Sequence, residues 1–129
     1  MSVQAVYKGV RISPRKVSVV AALVRGRSVA DAVVILDHTP RRAAQAVKKA
    51  VVSAGANAEH NHNYKPDTLF ISEISVTPGI RYRRYRAAAR GRALRFARST
   101  SQIRVLVDGQ QREMKKKITK AADQEKNDG

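Results

Sequence analysis

Apolar residues recur along this chain at two spacings, and the change from one to the other divides it into elements. Val17, Val20, Ala21 and Val24 fall three or four apart and make one stripe of a helix. Ser13-Pro14 stands at its start, serine as N-cap and proline at the first helical position, where its missing N–H costs nothing. Gly26 follows where a left-handed C-terminal cap belongs. Val29, Ala32, Val33 and Leu36 form a second stripe ending near His38, opened by Ser28 with Asp31 three residues on, a capping box. Thr39-Pro40 repeats the cap-then-proline device and predicts a longer third helix to about Asn61. Ala43, Ala46, Val47, Ala50, Val51, Ala54 and Ala58 share one side of it. Side chains this small admit a neighbouring backbone closely, a nucleic acid included.

Elsewhere the pattern is that of strands. Residues 4–10 carry apolar side chains on both faces and read as a short strand ending at Gly9. Residues 61–67 are polar, contain Pro66 and predict a loop, whereas 69–76 are apolar and rich in β-branched side chains. Ile103, Val105 and Val107 alternate with Arg104 and Leu106, which predicts a partner strand. The simplest connection between these two is one very long hairpin, with arms at about 75–86 and 92–101. Alanines 87–89 are poor strand formers and Gly91 permits positive φ, so the turn falls at 87–91. At about 3.3 Å per residue the arms would protrude about 35–40 Å. An isolated two-stranded ribbon is marginal in water, so this one is expected to become ordered on its target.

Charge then decides what the hairpin meets. Between Ile80 and Val107 there is no acidic residue, yet Arg81, Arg83, Arg84, Arg86, Arg90, Arg92, Arg95, Arg98 and Arg104 are present, interleaved with Tyr82, Tyr85 and Phe96. Self-repulsion keeps such a segment out of a core. Arginine forks bind phosphate through two hydrogen bonds and stack on bases, so the expected partner is nucleic acid. The whole chain of 129 residues carries +16, a field that draws phosphate backbones. Arg11, Arg15, Lys16 and Arg25 bracket the first helix and predict a second patch on the same polyanion, with Lys48 and Lys49 on the third helix.

Other chemistry is thinly represented. Zero cysteine excludes disulfides, thiol catalysis and thiolate metal sites. His38, His60 and His62 lack the spacing of helical zinc ligands, and the few carboxylates fall on different elements. No phosphate-cradling glycine loop or nucleophile elbow occurs, so neither an enzyme, a metal site nor a cofactor is expected. No apolar run reaches the roughly 18 residues of a spanning helix, and no signal core opens the chain; a cytoplasmic protein without a membrane partner is expected. Length predicts one domain, about 1–109, with a hairpin extension at about 77–101. The polar residues 110–129, Lys115–Lys117 among them, are expected to form a disordered tail. The competing reading is a DNA-architectural protein with basic β-arms, but such arms usually carry an apolar wedge at the tip, and 87–91 offers none.

Four separated stretches also carry a resemblance. They are Arg11-Ile12-Ser13-Pro14-Arg15-Lys16, Arg25-Gly26, Ser53-Ala54-Gly55-Ala56-Asn57-Ala58-Glu59-His60-Asn61 and Arg90-Gly91-Arg92-Ala93. In this order and spacing the chain resembles the bacterial large-subunit ribosomal protein family called L twenty-two, over residues 3–107. The resemblance implies an α+β fold, three helices packed on a three-stranded antiparallel sheet with a long protruding β-hairpin. It further implies a structural constituent of the large ribosomal subunit that binds 23S ribosomal RNA, aids its assembly and lies near the exit of the nascent-peptide tunnel. The tip, here Arg86, Ala87, Ala88, Ala89, Arg90 and Gly91, would line the tunnel wall, facing ribosomal protein L-four, the passing nascent peptide and the region where macrolides bind. Alanines 87–89 replace the family's Pro-Arg-Ala, and Ser101-Gln102-Ile103 replaces its Ser-His-Ile.

Overall fold

The computed structural model describes residues 2–110; the expected tail, apart from Gln110, lies outside them. In chain order the elements are β1 (Val3–Val10), α1 (Pro14–Val24), α2 (Val29–His38), α3 (Ala43–Asn61), β2 (Phe70–Ala87) and β3 (Ala93–Asp108), with short 3-10 turns at Pro66–Thr68 and Ala89–Gly91. The three strands form one antiparallel sheet in the order β1-β3-β2, so the last strand is the central one. The fold is therefore α+β: α1 and α3 pack on the three-stranded sheet, α2 packs on α3, and β2 and β3 run on beyond this body as a long hairpin.

Local chemistry explains most boundaries. The Asp31 amide donates to Ser28 Oγ at 3.2 Å, the expected cap of α2. α1 ends in a type II turn: Arg25 has φ −63° and ψ 127°, Gly26 has φ +79°, and the Arg27 amide donates to Val24 O. The cap expected at Thr39 is corrected. Its hydroxyl donates to Ile35 O at 2.7 Å and its amide to Leu36 O, so Thr39 closes α2 instead of opening α3. Pro40 has no N–H to continue α2, and α3 starts only at Ala43, with Arg42 as N-cap and no side-chain cap.

The core is built from valine, isoleucine and alanine. Ile71, Ile74, Ile103, Val105 and Val107 of the sheet pack against Val17, Val20 and Val24 of α1 and Val47 and Val51 of α3, all buried. The small-residue side of α3 lies inside this core, because Ala50, Ala54 and Ala58 bring the helix close to β1 and β3. That side is covered by the protein itself and faces no external partner.

At the rim of the core β2 carries a bulge. Pro78 pairs with Ser101 and Arg81 with Ser99, so Gly79 and Ile80 together oppose Thr100. The Thr100 hydroxyl donates to Ile80 O, satisfying the bulged carbonyl, and Ser101 Oγ donates to Ile12 O at 2.9 Å, tying the hairpin root to the loop before α1. Thr100 and Ser101 are buried, and the ribbon from 80 to 99 is almost wholly exposed. Its tip closes through Ala88 N–H to Arg92 O at 2.8 Å, with Arg90 and Gly91 both at positive φ.

Candidate nucleic-acid interface

Antiparallel pairing places each strand-paired arginine of the hairpin opposite an uncharged residue. Arg81 faces Ser99, Arg83 faces Ala97, Arg84 faces Phe96 and Arg86 faces Leu94, while Arg98 faces Tyr82 and Arg95 faces Tyr85. Like charges directly opposite destabilise a strand pair, and this register contains none. A slip of one residue would set Arg81 against Arg98 and Arg84 against Arg95, or Arg83 against Arg98 and Arg86 against Arg95. The sequence thus accommodates extreme charge by alternating it with aromatic and small side chains.

The two ribbon faces differ. One carries Tyr82, Arg84, Arg86, Leu94, Phe96 and Arg98. Here Arg86 and Arg98 lie over the Phe96 ring, at 5.1 and 5.4 Å from its centroid, while Arg11 and Arg84 lie over Tyr82 at 5.4 and 5.8 Å. Each such stack contributes about 0.5–1 kcal/mol at an exposed site and fixes the direction of a long, otherwise floppy cation. The other face carries Arg81, Arg83, Tyr85, Arg95, Ala97 and Ser99.

Where the ribbon leaves the body, three segments converge on an open concavity of about 720 Å³: the loop before α1, the start of α3 and the hairpin root. Arg11, Lys16, Arg41, Arg42, Arg84 and Arg98 line it together with Tyr82, and among the described residues no carboxylate does. The first turns of α1 and α3 also lack acidic residues, and neither N-terminus has a side-chain cap. The positive dipole ends of the two helices therefore add to the side-chain charge. Among the described residues the one ion pair is Lys48–Asp37, so none of the hairpin or groove cations has a carboxylate partner. The arrangement is a cation-lined cleft shaped to take a phosphate backbone.

The residues expected from sequence divide accordingly. Arg11, Lys16, Arg84 and Arg98 meet in the groove, and Arg81, Arg83, Arg86, Arg90, Arg92 and Arg95 extend along the exposed ribbon. Arg15 is exposed on the first turn of α1 beside it. Arg25 lies about 16 Å away along α1, where its Nη2 donates to Ile74 O at 3.0 Å and pins the helix end to β2. Lys48 is held by Asp37, and Lys49 is exposed farther along α3. Arg41 and Arg42 were not singled out by sequence. Their signal is a pair of cations at a helix N-terminus, where the macrodipole disfavours them unless an outside anion is present. Among the described residues no three His, Asp or Glu side chains gather closely enough to hold a metal ion, and no helix is long and apolar enough to cross a membrane.

Fold and surface define a small basic α+β domain that extends a charged β-ribbon. The model of the family described as ribosomal protein L22p/L17e matches residues 5–108, and the chain belongs to that family. It is 49% identical over 107 residues to the large ribosomal subunit protein uL22 of Oceanobacillus iheyensis, covering 83% of this chain and 95% of the relative. It is also 43% identical over 118 residues to the protein of the same description from Granulibacter bethesdensis, covering 92% of this chain and 89% of the relative.

Proposed function

We propose that this chain is a non-catalytic structural constituent of the large ribosomal subunit, working on the ribosome in the cytoplasm, that binds 23S ribosomal RNA. The observation that carries this reading is the groove of Arg11, Lys16, Arg41, Arg42, Arg84 and Arg98, which no carboxylate of the described residues neutralises. Six cations engaging six phosphates would give a salt slope of about 4–5 logarithmic units. Family membership supports the same partner and adds the setting.

The body docks on folded RNA through the groove, and the ribbon runs on between RNA segments that would otherwise repel one another, which favours assembly. Arg81, Arg83, Arg84, Arg86, Arg90, Arg92, Arg95 and Arg98 supply the charge along its length. The tip, Arg86 to Gly91, reaches the wall of the nascent-peptide exit tunnel, with ribosomal protein L-four and the nascent peptide as neighbours.

The test is sedimentation of the protein from cell lysate, with a competition assay beside it. The protein is expected to travel with the large subunit, leave it only at high salt, and prefer A-form RNA to duplex DNA. Migration apart from the subunit at low salt would overturn the proposal.

A further inference from the structure

The aromatic rings of the ribbon are not equivalent. Tyr82 and Phe96 each lie beneath two guanidinium groups. Tyr85, on the opposite face, is 66% exposed, and among the described residues no guanidinium lies over its ring. Arg95 stands directly across the strand pair from Tyr85, and Arg83 lies two residues before it on the same face. Around the ring is a shallow concavity of about 360 Å³, which Arg83, Arg95 and the small Ala97 help to line.

An exposed aromatic ring with a bare π-face, flanked by two unpaired cations, matches the chemistry of an unstacked nucleotide. The ring takes the base and the guanidinium groups take its phosphates. We propose that Tyr85 is the stacking platform for one unpaired nucleobase, with Arg83 and Arg95 holding the adjoining phosphates. The inference rests on the RNA-binding reading above and deepens it: the Tyr82 face engages backbone, and the Tyr85 face selects a place where the RNA is not paired. Inside a duplex both faces of every base pair are stacked, so this contact is made to single-stranded or bulged RNA.

The chain has no tryptophan, so Tyr85→Trp introduces a single fluorescent reporter at the site. Its emission is expected to be quenched by single-stranded oligoadenylate of about ten nucleotides and almost unaffected by a long RNA duplex, where only the two end pairs expose a base face. Tyr85→Ala, and Tyr85→Thr, which keeps strand propensity, are expected to weaken single-strand binding about 5- to 150-fold. Duplex affinity and the salt slope stay at the parent values, because no charge is removed, and Tyr85→Phe retains binding. Equal loss on single strand and duplex, no loss on either, or quenching by the duplex overturns the stacking site while RNA binding itself stands. A parent protein that binds neither RNA overturns the underlying reading instead.

Discussion

The Arg11 guanidinium lies over the Tyr82 ring, 5.4 Å from its centroid, and so joins the loop after β1 to the first exposed turn of the hairpin. With Ser101 Oγ bonded to Ile12 O, this contact sets the ribbon root against the start of α1 and joins two walls of the groove that are distant in sequence.

The ribbon's charge predicts a salt-dependent contribution to binding. Replacing Arg84, Arg86, Arg90 and Arg92 together with alanine should weaken 23S RNA binding and lower the salt slope by about 0.7–0.9 for each lost phosphate contact. Filter binding across a salt titration measures both. An unaltered slope would remove the ribbon from the RNA contact.

Arg41 and Arg42 are expected to trade stability for binding. They stand at the dipole-positive end of α3, so Arg42→Glu should raise stability by about 0.3–1 kcal/mol while sharply weakening RNA binding. Thermal unfolding and RNA titration of the same variant separate the two effects. Lower stability together with intact binding contradicts the assignment of this helix start to the groove.

Gly79 is required by close approach at the bulge. A Cβ there would lie 2.6 Å from Thr100 Oγ1, on a buried, β-branched side chain already bonded to Ile80 O. Gly79→Ala should destabilise by about 1–3 kcal/mol. In a double-mutant cycle by denaturant unfolding, Thr100→Ala should be milder in the Gly79→Ala background than in the parent. Additive effects would place the cost elsewhere.

Hydrogen exchange should divide the molecule at the same bulge. Residues 81–99 pair only with each other and bury little apolar surface, so the amides of 81–98 should exchange quickly in the free protein and slowly in the assembled subunit. Ile103, Val105 and Val107 should be protected in both states. Strong protection of 81–98 without RNA would rule out ordering by the partner.

Much of this was legible in the residues. Apolar stripes located all three helices, and the alternation of Ile103, Val105 and Val107 located the buried face of β3. The ribbon register was equally within reach, since only alternating charge keeps its arginines apart. Strand order was not legible, because nothing local tells β3 to sit between β1 and β2. The groove was missed for the same reason. A helix start at Thr39-Pro40 says nothing of what lies beside Arg41 and Arg42, and only tertiary packing brings them to Arg11 and Arg98. Arg25 and Lys48 show the converse: charged residues in the right neighbourhood that the protein partly uses for itself.

The central position of β3 also orders events in time. Val3 pairs with Val107 and Phe70 with Asp108, so the strand synthesised last is the one that both earlier strands await. Until it emerges, β1 and β2 have no partner, and closure must join residues more than 100 positions apart. A nascent chain cut short before Asp108 would display its cations without the architecture that aims them.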